Sequence, residues 1–93
     1  MQNPVVVTVA GGFYYFGNEI ESIEEGYITL NKAAMFGGFS GGFGMPGVAA
    51  GKDGATVTLN TFDENMPISF PVNNVYAIHK SVDLYKFKGT TIK

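Results

Sequence analysis

The side chains able to do catalytic chemistry are few and poorly spaced for it. His79 is the single imidazole among 93 residues, and the chain has neither cysteine nor arginine. A nucleophile–base relay or a metal cage needs several such groups converging on one point. No catalytic residue, resident metal or other cofactor is therefore expected. The acids Glu19, Glu21, Glu24 and Glu25 crowd together. Paired carboxylates hydrolyse glycosides when they flank a substrate cleft, and a hairpin in so short a chain leaves little room for one. Gly51-Lys52 is followed by Asp53-Gly54. A phosphate cradle places a hydroxyl after that lysine and a helix beyond it, and an acid there repels phosphate. The residues point to binding, not to turnover.

The groups suited to binding are amides and aromatics. Asn73-Asn74 could pair with base edges through their amides, or could serve only as turn formers that tolerate left-handed backbone. Phe39 and Phe43 are spaced aromatics on a glycine-rich backbone, on which bases could stack, or which could fold back on the protein. His79 beside Lys80 could contact phosphate, or could be an ordinary surface histidine. Net charge is −2, which argues against coating DNA irrespective of sequence, because that activity needs many cations to displace counterions. The charge is uneven: Lys80, Lys86, Lys88 and Lys93 make a basic tail over residues 81–93 and its border, which is either an anion-binding surface or a solvated terminus.

The elements that must position these groups read as strands. Residues 5–9 are a β-branched run, stiff at χ1 and suited to pleated sheet. Gly11-Gly12 supplies a hairpin turn that accepts positive φ. Tyr14, Tyr15 and Phe16 continue as strand and must point to both faces, so at least one needs a cover. Gly17 marks a bulge or bend. Polar–apolar alternation follows, broken where Ile20 and Ile23 stand three apart. Glu24-Glu25-Gly26 turns the chain, and a third strand starts at Tyr27 and is expected to fade over 33–36. Residues 36–54 hold eight glycines in nineteen positions; such density is costly in any regular element, so a loop is expected. Residues 55–62 alternate, with Ala55, Val57, Leu59 and Thr61 sharing one face. Asp63-Glu64-Asn65 reads as a turn, 66–70 as a short strand, 71–74 as a turn and 75–79 as a strand. Residues 81–87 fit an edge strand or a helical turn equally. About five or six short strands with tight turns make a small all-β barrel or sandwich in one domain.

Two stretches resemble the Sm/LSm family, which includes the Hfq-related proteins. The first motif of that family is a hairpin followed by a glycine in a strongly bent second strand. Val7-Thr8-Val9-Ala10-Gly11-Gly12-Phe13-Tyr14-Tyr15-Phe16-Gly17 is similar, and Ile20-Glu21-Ser22-Ile23-Glu24 follows with an acid where the family has one. The second motif is similar to Phe70-Pro71-Val72-Asn73-Asn74-Val75. Pro71-Val72 stands where the family has Arg-Gly, and residues 1–3 are too short for the family's initial helix. The resemblance implies a strongly bent five-stranded antiparallel barrel of the Sm-like or SH3-like kind. Its first motif would span about 5–36, a glycine-rich insertion 37–54 and the second motif region 55–80.

The resemblance further implies a homo-oligomeric ring of about five to seven subunits joined edge to edge. Met66, Ile68 and Phe70 on one edge would meet Val75, Tyr76 and Ile78 on the next subunit. The turns carrying Glu24, Tyr27, Asn73 and Asn74 would face the pore. The leading expectation is a non-enzymatic ring that binds RNA or single-stranded nucleic acid through these residues with Phe39, Phe43, His79 and Lys80. The alternative is an assembly ring with no nucleic-acid role, such as a viral accessory protein. No apolar run approaches the roughly 20 residues of a membrane span and no leader-like N-terminus is seen, so no membrane partner is expected and the location is expected to be cytoplasmic, in a host cell if viral.

Overall fold

The computed structural model describes residues 1–63 and 66–93. The expected Asp63-Glu64-Asn65 turn has its last two residues outside that set. Strands β1 (Pro4–Val9) and β2 (Phe13–Ile20) form an antiparallel hairpin. The connection has three residues, with Ala10 ahead of Gly11 and Gly12. Both glycines have positive φ, 91° and 82°, as the turn chemistry requires.

The third strand, β3, is Tyr27–Ser40, fourteen residues long. It does not fade at 33–36, and this corrects the sequence expectation. One edge pairs with β2 from Thr29 to Met35. The other edge is shared: its first part pairs with β5 (Ile68–Pro71), and its second part with β4 (Thr56–Thr61). Such sharing needs a bend. At Gly17 the β2–β3 register shifts between Phe16 and Asn18, and Lys32 opposite takes a φ of 49°. A β-carbon at Gly17 would meet the Leu30 β-carbon at 3.0 Å, so the crossing of the two strands there requires glycine.

The 37–54 region is not a plain loop. Its first part continues β3, and Met45–Ala49 form one helical turn, α1. Met45, Val48 and Ala49 are buried. The glycines allow backbone to lie directly on backbone: a β-carbon at Gly47 would collide with the Gly42 carbonyl, and one at Gly41 with the Gly54 carbonyl. The lost backbone entropy is offset by close packing that places three apolar side chains in the core.

A 3-10 turn, Val72–Asn74, joins β5 to β6 (Val75–Lys80), and β6 pairs antiparallel with β1. The tail also differs from expectation. Leu84 is fully buried, and β7 (Thr90–Ile92) pairs parallel with β4. The strand order is β6-β1-β2-β3-β4-β7, with β5 beside β3. The all-β class stands. Among the described residues there are seven strands instead of five, one ladder is parallel, and no ladder joins β5 to β6 to close a cylinder. Among the described residues no helix is long and apolar enough to cross a membrane.

Two cores result, one on each face of the hairpin. Val6 and Phe16 belong to the first, with Phe36, Val48, Val57, Leu59 and Leu84. Val5, Val7 and Val9 belong to the second, with Ile28, Leu30 and Ala33, flanked by Ile68, Phe70 and Val75. β1 is thus covered on both sides, which explains the consecutive Val5, Val6 and Val7 in place of alternation. Ala55, Val57 and Leu59 share a buried face as expected, while Thr61 is exposed.

Candidate functional site

The first candidate feature is a pair of sheet edges. Among the described residues β5 pairs only with β3, and β6 only with β1. Each therefore keeps one row of backbone groups unpaired within the chain, the template on which another strand can add. Their side chains divide by alternation. Ile68, Phe70 and Val75 pack against the second core. Tyr76 and Ile78 turn outward, 70% and 44% exposed. Of the six expected interface side chains, three are therefore spent on the fold. Met66 lies ahead of β5, not within it, and is 63% exposed.

The turn between these edges is held at both ends. The Val72 N–H donates to the Gly26 carbonyl at 2.9 Å, and the Ala10 N–H donates to the Asn74 carbonyl at 2.9 Å. The Pro71–Asn74 turn thus spans from the Glu24-Glu25-Gly26 turn to the first hairpin. Asn73 and Asn74 are exposed there, as are Glu24 and Glu25. Tyr27 stands opposite Pro71 in the ladder.

Beside this turn lies an open cleft of about 370 Å³. Ile20, Ile23, Tyr27 and Pro67 give it apolar walls, and Glu21 and Glu24 contribute carboxylates. Its floor carries a chain of hydroxyls. Thr29, buried in β3, is 2.7 Å from the Ser69 hydroxyl and 3.0 Å from that of Ser22. Each hydroxyl can donate and accept, so the chain is self-satisfying. Among the described residues no lysine or histidine lines this cleft, so its field is that of the acids.

The remaining candidates sit elsewhere. Phe39 packs edge-on against Tyr14 at 5.3 Å between centroids and against Phe36 at 5.9 Å. Phe43 stands 90% exposed beyond the end of β3, with the Lys52 ammonium 4.3 Å from its ring centre. His79 and Lys80 end β6, opposite Val6 and Val5. The structure gathers Glu24, Tyr27, Asn73 and Asn74 at one end of β3; it leaves Phe39 and Phe43 at the other, and it sets His79 and Lys80 apart at the end of β6.

Sequence reasoning missed the Ser22–Thr29–Ser69 chain. Thr29 and Ser69 are 40 residues apart, and no local pattern links them. Ile20 and Ile23 did leave a trace, since their three-residue spacing breaks the alternation and both line the cleft. The aromatic run is fully accounted for. Phe16 and Tyr14 turn to the first core, and Tyr15 turns to the second beside Phe62 and Phe70. The chain matches no protein-family model and no curated protein sequence.

Proposed function

We propose that this chain is a non-enzymatic assembly subunit that joins copies of itself edge to edge. The observation that carries this reading is the pair of open edges, β5 and β6, set on either side of one short turn. A strand path β6-β1-β2-β3-β5 lies within the sheet, and this strand order is one that supports the Sm-like resemblance. Pairing β5 of one copy with β6 of the next is a heterologous contact, which removes these two edges when it closes into a ring and, among the described residues, leaves only the short edge of β7. The low charge of the chain, 15% of residues, suits a surface that is covered by neighbours.

Light scattering on the eluting protein tests this directly. A closed oligomer is expected, and a stable monomer at all concentrations overturns the reading. Tyr76→Lys with Ile78→Lys should shift the protein toward monomer, because both side chains are exposed in one copy and charge on an edge strand opposes pairing.

A second reading, binding of RNA or single-stranded nucleic acid, is favoured by one observation: Asn73 and Asn74 lie exposed next to Gly26 and Tyr27. Glu24 and Glu25 at the same turn oppose phosphate. Fluorescence anisotropy with oligo-U, oligo-A and single-stranded DNA at low salt decides it. Binding that weakens on Asn73→Ala with Asn74→Ala supports the pore-turn site, and no binding at low salt removes this reading.

A further inference from the structure

Residues Gly41, Gly42, Phe43 and Gly44 all have positive φ, between 62° and 97°. Phe43 is the one residue of the four with a side chain, and left-handed backbone is costly for it. The strain does not serve burial, since the ring is 90% exposed. It holds an aromatic ring outward. Lys52 stacks its ammonium on that ring at 4.3 Å. Lys52 is itself anchored, its N–H donating to the Gly47 carbonyl at 2.9 Å and its carbonyl accepting from Ala55 at 3.0 Å. Neighbouring Asp53 pairs with Lys88 at 3.6 Å, and among the described residues no acid pairs with Lys52. The feature is a protruding knob with an apolar ring and one positive charge.

The cleft at the start of β3 has the complementary character. It is about 370 Å³, walled by Ile20, Ile23 and Tyr27, with Glu21 and Glu24 supplying negative charge. Ile23 is completely exposed in the single chain. Knob and cleft stand at opposite ends of β3, after Ser40 and around Tyr27. Phe43 does not fill the cleft of its own chain, because it is exposed.

We propose that Phe43 of one copy inserts into the Ile20–Ile23–Tyr27 cleft of a second copy, with Lys52 facing Glu21 and Glu24. The occupant is a second copy because the chain itself supplies both the apolar ring and the charge of the sign the cleft lacks. Opposite placement on β3 makes the contact heterologous, so it propagates from copy to copy. It is a contact additional to the pairing of β5 with β6, and it does not rest on that reading.

The test places a photoreactive benzoylphenylalanine at position 43 and mixes it with isotope-labelled wild-type chain, so that cross-links between copies are identified by mass. Cross-links to residues 20–27 of the other copy are expected. Cross-links elsewhere, or none, overturn the proposal. The same measurement on the Tyr76→Lys, Ile78→Lys background keeps the two contacts separate: cleft cross-links persist there if the knob acts independently. Sedimentation on that background supplies the energetics. Phe43→Ala should weaken association about 30-fold or more, Lys52→Glu about tenfold, and Lys52→Glu with Glu24→Lys should recover most of the loss. Unchanged association in Phe43→Ala, or no recovery in the charge exchange, overturns the proposal. Phe43, Lys52 and Glu24 are all exposed, so the fold survives each change.

Discussion

The Tyr85 hydroxyl donates to the Lys32 carbonyl at 2.6 Å, across 53 residues of chain. Lys32 is the left-handed residue at the bend of β3, and the Tyr85 ring packs edge-on against Phe16 at 5.3 Å. The C-terminal segment thus clamps the point where β3 passes from β5 to β4. Tyr85→Phe keeps the ring and loses the hydrogen bond, and should cost about 1 kcal/mol. Tyr85→Ala loses both and should cost about 3 kcal/mol. Urea midpoints with an unchanged slope would measure each; a Tyr85→Phe cost near zero would mean that the hydroxyl contributes nothing, and equal costs that the ring contributes nothing.

The glycines of 37–54 should differ sharply in tolerance. Gly47→Ala drives a β-carbon into the Gly42 carbonyl and should cost about 3 kcal/mol or more, since backbone cannot rotate away as a side chain can. Gly38→Ala meets open space at a φ that is not positive, and should be neutral or stabilising by up to about 1 kcal/mol. Thermal unfolding of the pair checks this, and equal effects would contradict the packing described.

Phe43→Asn should stabilise the isolated subunit. Relief of left-handed strain is worth about 1–2 kcal/mol, and the lost contact with Lys52 about 0.5 kcal/mol, so a net gain of roughly 0.5–1.5 kcal/mol is expected. A more stable subunit with weaker association would separate the cost of the knob from its use. Loss of stability would show that the ring supports the fold.

Thr29→Val removes the centre of the Ser22–Thr29–Ser69 chain while keeping shape. Ser69 is exposed and can turn to water, so the cost should be modest, about 1–2 kcal/mol. Denaturation in urea measures it, and a cost near zero would mean that water already serves both serines.

Local chemistry made much of the fold legible. The valine run of β1, the glycine turn with positive φ, the bend at Gly17 and the buried alternation of Ala55, Val57 and Leu59 all follow from χ1 stiffness, missing β-carbons and period-two burial. The turn residues of the candidate site were legible for the same reason: glycine, proline and asparagine state backbone preferences within four residues.

The sequence by itself determined these short-range features, and also the absence of thiols and the single imidazole. Tertiary structure alone decided the rest. Whether 37–54 is loop or core depends on the Gly42–Gly47 approach and on whether Met45 and Val48 can reach Phe16 and Leu84, which is non-local packing. The same holds for the tail, whose burial of Leu84 outweighs its basic composition. Which edges stay open is a property of the whole strand order, because each unpaired backbone row is defined by the partner that did not arrive. The cleft and the knob are likewise set by the bend and reach of β3, which carries Tyr27 to one end and leaves Phe43 beyond the other.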